Sequence, residues 1–107
     1  MKILICFAGL AAAIAPPAAH AADAEAGRSK AAACRTCHGI DGIAKIPIAP
    51  HIAGESEIYL QTQLKAFRSG KREHEIMSVI ARDLSDEDIA DLAAWYSSIE
   101  FSVEVPQ

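Results

Sequence analysis

Five residues, Cys34-Arg35-Thr36-Cys37-His38, constrain this chain more than any other part of it. C-x-x-C-H is the attachment signal for c-type haem. Two thiols three residues apart reach the two vinyl groups of one porphyrin and close two thioether bonds. The histidine that follows lies under the iron and is placed to bind it as an axial ligand. The rest of the sequence is read against the expectation of a covalently held haem.

The segment before the motif has its own pattern. Met1-Lys2 is a minimal basic start, Ile3 to Ile14 is apolar, Pro16-Pro17 breaks the run, and Ala19-His20-Ala21 fits an A-x-A cleavage site. The apolar run stops short of the ~20 residues needed to span a bilayer. Cys6 stands at the start of that run, not at its end where a lipidated cysteine belongs. Residues 1–21 therefore read as a removed secretion signal, with no stable membrane span afterwards, and a periplasmic location is expected. Residues 22–107 read as one small domain. A core of that size is marginal without a staple, which a covalently held porphyrin supplies.

Cysteine usage agrees. The chain has three cysteines, and loss of the leader leaves only Cys34 and Cys37, so none remains for a disulfide framework. Formal net charge is −4, and loss of Lys2 with the leader takes it to −5. No basic stripe favours nucleic acid.

Along the chain, Asp23 is a good N-cap and Glu25 suits the positive end of a helix that runs to about Ala33. Gly27 is out of place there by propensity: it is either a tolerated surface glycine or a point of close approach by another helix. Gly39 to Gly54 is loop-like. Ser56 caps a helix over 57–69, with Leu60, Leu64 and Phe67 on one face and Gly70 as its stop. Residues 71–84 begin charged and become apolar at Ile76-Met77-Ser78-Val79-Ile80-Ala81. Ser85 caps the last helix, with Asp88 at the capping-box position. Ile89, Leu92, Ala93 and Tyr96 form its apolar stripe, and the helix ends near Ser98. Phe101, Val103 and Val105 alternate with polar residues, so residues 100–107 read as a short extended tail. There is no internal repeat and no second C-x-x-C-H, so one haem is expected.

Taken in order, these residues resemble a class I c-type cytochrome of the small bacterial kind. The likeness runs through Gly27, Cys34-x-x-Cys37-His38-Gly39, Pro50-x-Ile52-x-Gly54, Tyr59-Leu60-x-x-Gln63-Leu64, Met77, and Leu84 to Tyr96, and covers nearly all of residues 22–107. It implies a small all-α fold wrapped around one covalent haem c, with the N- and C-terminal helices crossing tightly. Trp95-Tyr96 departs from the Tyr-Phe pair common in the family. The resemblance also implies that the Pro50 carbonyl accepts from the His38 ring.

His38 is the expected proximal ligand of the iron. For the distal position Met77 is favoured: Met1 leaves with the leader, and Met77 precedes Leu84 by seven residues, where the family places its ligand. His74 and His51 compete for that position. Tyr59 and Trp95 are candidates for the porphyrin edge or a propionate, against the plain alternative of core aromatics. Lys65, Arg68, Lys71 and Arg72 form a basic cluster that either is a solvated face or steers an acidic redox partner. Asp83, Asp86, Glu87, Asp88 and Asp91 are read as helix-start electrostatics.

The leading function is a periplasmic single-electron carrier, an electron-transfer protein and not an enzyme, whose donor and acceptor proteins the sequence leaves open. The alternative is a cytochrome subunit of a larger dehydrogenase, such as a flavocytochrome, with the tail docking a partner. A haem enzyme or gas sensor requires an open sixth position. A thiol oxidoreductase or zinc protein built on Cys34 and Cys37 is disfavoured by His38 and by the lack of other cysteine ligands.

Overall fold

The computed structural model describes residues 12–16 and 20–107. Most of the segment read as a secretion signal, with Met1, Lys2 and Cys6, lies outside the described residues. The described residues form helices and no strand: α1 (Ala24–Lys30), a 3-10 turn (Ala31–Ala33), α2 (Arg35–His38), α3 (Glu57–Ser69), α4 (Met77–Arg82) and α5 (Asp86–Ser97). None of them is long and apolar enough to cross a membrane. The first helix is thus shorter than expected, and the haem motif forms a helical turn of its own.

Local chemistry sets the helix ends. The Asp23 carboxylate accepts from the Glu25 and Ala26 N–H groups at 2.9 and 3.1 Å. Ser56 Oγ accepts from the Tyr59 N–H at 3.3 Å, and Gly70 closes α3 in the left-handed conformation. At α5 the capping box is complete: Ser85 Oγ accepts from the Asp88 N–H, and Asp88 Oδ2 accepts from the Ser85 N–H, both at 3.0 Å.

The deepest packing is where α1 crosses α5. Gly27 lies against the Asp91 backbone, and a Cβ there would overlap the Asp91 carbonyl and crowd the Trp95 Cβ. This settles the two readings of Gly27 in favour of close approach. Asp91 is fully buried on the same crossing. Its Oδ1 accepts from the Asp23 N–H at 2.9 Å and from His20 Nε2 at 3.0 Å, and its Oδ2 accepts from Lys30 Nζ at 2.7 Å. The Lys30 and His20 hydrogen bonds hold its carboxyl well below the usual carboxylate range. Asp91 is therefore not part of the helix-start electrostatics read from sequence. It is a buried anchor between two helices. His20 belongs to the segment read as a signal, so its share of the network is a property of the uncut chain.

The apolar core around this crossing is thin. Among the described residues nine apolar side chains are buried, and four of those are alanines. Leu60, Leu92 and Tyr96 form one cluster with Ala31 and Ala93. Phe67 is buried further along α3.

Candidate cofactor site

The site grows out of α2. The His38 N–H bonds to the Cys34 carbonyl at 2.9 Å and the Cys37 N–H to the same oxygen at 3.2 Å. This one turn sets Cys34, Cys37 and His38 at i, i+3 and i+4, on one face. Gly39 follows with φ 77°, a conformation closed to most side chains, and the chain leaves the helix sharply there.

The loop that follows returns to the histidine. His38 Nδ1 lies 2.9 Å from the Pro50 carbonyl, which can only accept, so the ring carries its proton on Nδ1 and turns the Nε2 lone pair toward the cleft. The loop is braced from within by the Ile52 and Ala53 N–H groups on the Gly42 carbonyl, at 2.8 and 3.1 Å. From α5, the Tyr96 hydroxyl donates to the Gly39 carbonyl at 2.9 Å and the Trp95 indole N–H to the Ile40 carbonyl at 3.0 Å.

Across the cleft stands α4, which begins at Met77. No serine, threonine or acid caps it; instead His74 Nδ1 accepts from the Ile76 and Met77 N–H groups at 3.2 and 3.3 Å. That use of Nδ1, with the ring set edge-on against Phe67, gives His74 a task other than binding iron. His51 is likewise engaged, accepting from the Ala44 N–H at 2.9 Å.

Between these walls is a cleft of about 360 Å³, within the usual size of cofactor sites. Cys34, Cys37, His38 and Met77 all line it, together with the apolar Leu64 and Phe67. The donor set fits a c-type haem: two thiols on the edge, an imidazole nitrogen, a thioether, and an apolar interior. Burial pushes the Cys34 thiol up to about 11, with Cys37 beside it adding to the effect. A nucleophilic redox cysteine needs the opposite shift, toward thiolate.

The structure brings Cys34, Cys37, His38, Pro50, Tyr59 and Met77 to this cleft. Tyr59 is half exposed at its wall. Trp95 does not line it: the indole faces the Ile40 carbonyl, with the Arg28 guanidinium over the ring at 5.6 Å. Tyr96 lines the cleft in its place. Sequence reasoning had Tyr96 only as core, although its register with Ile89 and Leu92 already turned it inward. Half of the basic cluster, Arg68 and Arg72, is engaged internally. Arg68 donates to the Leu84 carbonyl at 2.9 Å and to Asp86 at 2.6 Å, and Arg72 donates to Gln63 at 2.7 Å and lies over Phe67.

Comparison with known proteins agrees with this geometry. The family profile described as Cytochrome c matches residues 24–100. The chain is 48% identical over 83 residues to cytochrome c-554(548) of Halomonas halodenitrificans, covering 75% of this chain and 100% of that one. It is 40% identical over 73 residues to a thiosulfate dehydrogenase electron acceptor of Thiomonas intermedia, covering 66% of this chain and 33% of the other. The crystal structure of reduced recombinant cytochrome c4 from Pseudomonas stutzeri superposes with a TM-score of 0.71 at 40% identity, over 78% of this chain and 48% of that one. The chain thus spans the whole of one relative and less than half of the longer ones.

Proposed function

The chain belongs to the cytochrome c family, and from that premise we propose that it is a single-electron carrier of the periplasm, with one haem held at Cys34, Cys37, His38 and Met77. Family membership brings a covalently attached c-type haem and an all-α fold. When bound, that group supplies a one-electron Fe(III)/Fe(II) couple. The chain's own residues do the rest. Cys34 and Cys37 would tether its edge, His38 would present Nε2 with its tautomer set by Pro50, and Met77 would supply a thioether from the start of α4. Leu64 and Phe67 keep water from the ring. With a thioether and an imidazole both given to the group, no position would be left open for a substrate, which suits electron transfer and not catalysis.

The observation that carries this reading is a shared cleft, lined both by a histidine with its tautomer fixed and by the one thioether of residues 22–107. Met77→Ala tests it. The variant is expected to lower the reduction potential and to bind carbon monoxide in the reduced state. An unchanged potential would remove Met77 from the site.

A second reading, the electron-accepting subunit of a dehydrogenase, is favoured by the Thiomonas relative, a thiosulfate dehydrogenase electron acceptor. Phe101, Val103 and Val105 in the tail are exposed, at 58%, 72% and 81%, and would supply a docking strand. Size-exclusion of the native protein from its source separates the two readings: a free carrier elutes as a small monomer, and a subunit co-elutes with its partner.

A further inference from the structure

Tyr96 grips the 39–54 loop at both ends. Its buried hydroxyl donates to the Gly39 carbonyl at 2.9 Å. Its backbone carbonyl accepts from the Gly54 N–H at 2.8 Å. Between these two ties lies Pro50, the acceptor for the His38 ring at 2.9 Å. One residue of α5 therefore fixes where the loop departs and where it returns. The loop interior transmits that setting, because Gly42 near its start is bonded to Ile52 and Ala53 near its end. Gly39 also follows His38 directly, so the same hydroxyl steadies the backbone on which the imidazole stands. Burial pushes the phenol of Tyr96 above its ordinary value, so it keeps its proton and donates across the physiological range. Trp95 differs: it ties Ile40 alone, at one end of the loop.

We propose that Tyr96 is the positioning residue of the proximal side, which through Gly39 and Gly54 sets the length of the His38 Nδ1–H to Pro50 carbonyl bond and so tunes the reduction potential. The proposal rests on His38 as an iron ligand. The chemistry is direct. A firm acceptor at Nδ1 makes Nε2 a stronger electron donor and favours the ferric state. A slack bond weakens that donation, and the potential rises.

The test uses the mature holoprotein and Tyr96→Phe. The phenylalanine keeps the ring and the backbone carbonyl to Gly54, and the Gly39 carbonyl keeps the Gly42 N–H at 3.3 Å, so the variant is expected to fold. Three readouts are taken: the reduction potential, the NMR resonance of the His38 Nδ1 proton, and exchange of the Gly54 amide. The expected result is a higher potential, an upfield shift of that proton, and exchange on the order of tenfold faster at Gly54. Ser85→Ala serves as the control, since it weakens the start of α5 without touching the loop; it is expected to leave the potential and the His38 proton alone. An unchanged potential and an unchanged His38 resonance in Tyr96→Phe would overturn the proposal and reduce Tyr96 to packing. A wild-type His38 ring insensitive to the oxidation state of the iron would overturn the ligand reading itself, and the proposal with it.

Discussion

At the crossing of α1 and α5, backbone lies against backbone and a buried carboxylate meets three donors. The cleft is made differently, from the loop that follows α2, one face of α3 and the start of α4. The crossing is held by contacts internal to the chain. The cleft is held less completely: Leu60, Phe67, Leu92 and Tyr96 of its lining are buried in the core, while Ile48, Tyr59 and Ile76 of the same lining stay exposed. The difference teaches where the two kinds of information sit. Stability that the chain supplies for itself is concentrated between its terminal helices, and the part that works on electrons depends on the group it holds.

The largest expected effect comes from breaking the dependent half. With Cys34→Ala and Cys37→Ala together, the covalent haem is lost and so is the staple of a thin core. The double variant is expected to lose helical circular dichroism, a loss on the order of the whole ~5 kcal/mol stability of a marginal domain. A stably folded apo-domain would show that the crossing organises the cleft without help, and the comparison would fail.

Gly27→Ala attacks the other half. The added methyl meets the Asp91 carbonyl, and a shift of α1 on α5 costs about 3 kcal/mol. Thermal unfolding should report that loss, and the visible spectrum of the surviving folded protein should not change. A change in the spectrum of equal weight would mean that the two halves are one.

Asp91→Asn probes the same crossing with a pH signature. Removing the charge leaves Lys30 short of its main partner, though Lys30 also reaches Asp88 at 3.1 Å, so the cost near neutral pH is about 2 kcal/mol. The folded carboxyl titrates well below its unfolded value of about 3.9. Its contribution is therefore present above that value and fades as pH falls below it toward the folded pKa. Denaturant titrations should show a constant gap between wild type and variant from about pH 5 to 7 that closes in stronger acid. A gap that persists in stronger acid would deny the carboxylate its role. Ser85→Ala is the smallest effect, about 1 kcal/mol from the lost cap of α5.

Much of this was legible in the sequence because the signals are local. Asp23, Ser56 and Ser85 cap where their positions say, Gly70 stops α3, and C-x-x-C-H needs one helical turn to bring its three side chains to one face. What was not legible depends on distance. The acids of the last helix look alike along the chain, yet Asp91 alone is buried, on donors 61 to 71 residues away. The start of α4 was hidden because Ile76 offers no capping side chain and His74 supplies the acceptor two and three residues ahead. Trp95 and Tyr96 are neighbours, and although register turns Tyr96 inward, its bond to the Gly39 carbonyl depends on a loop 57 residues away.

The central claim is a closed iron site held by His38 and Met77, and it is tested most directly by the optical spectrum of the reduced mature protein with and without carbon monoxide. The account predicts a c-type spectrum that carbon monoxide leaves unchanged, because both axial positions are filled by the chain. A prompt spectral change on adding carbon monoxide would contradict it and turn the assignment toward a haem enzyme or gas sensor.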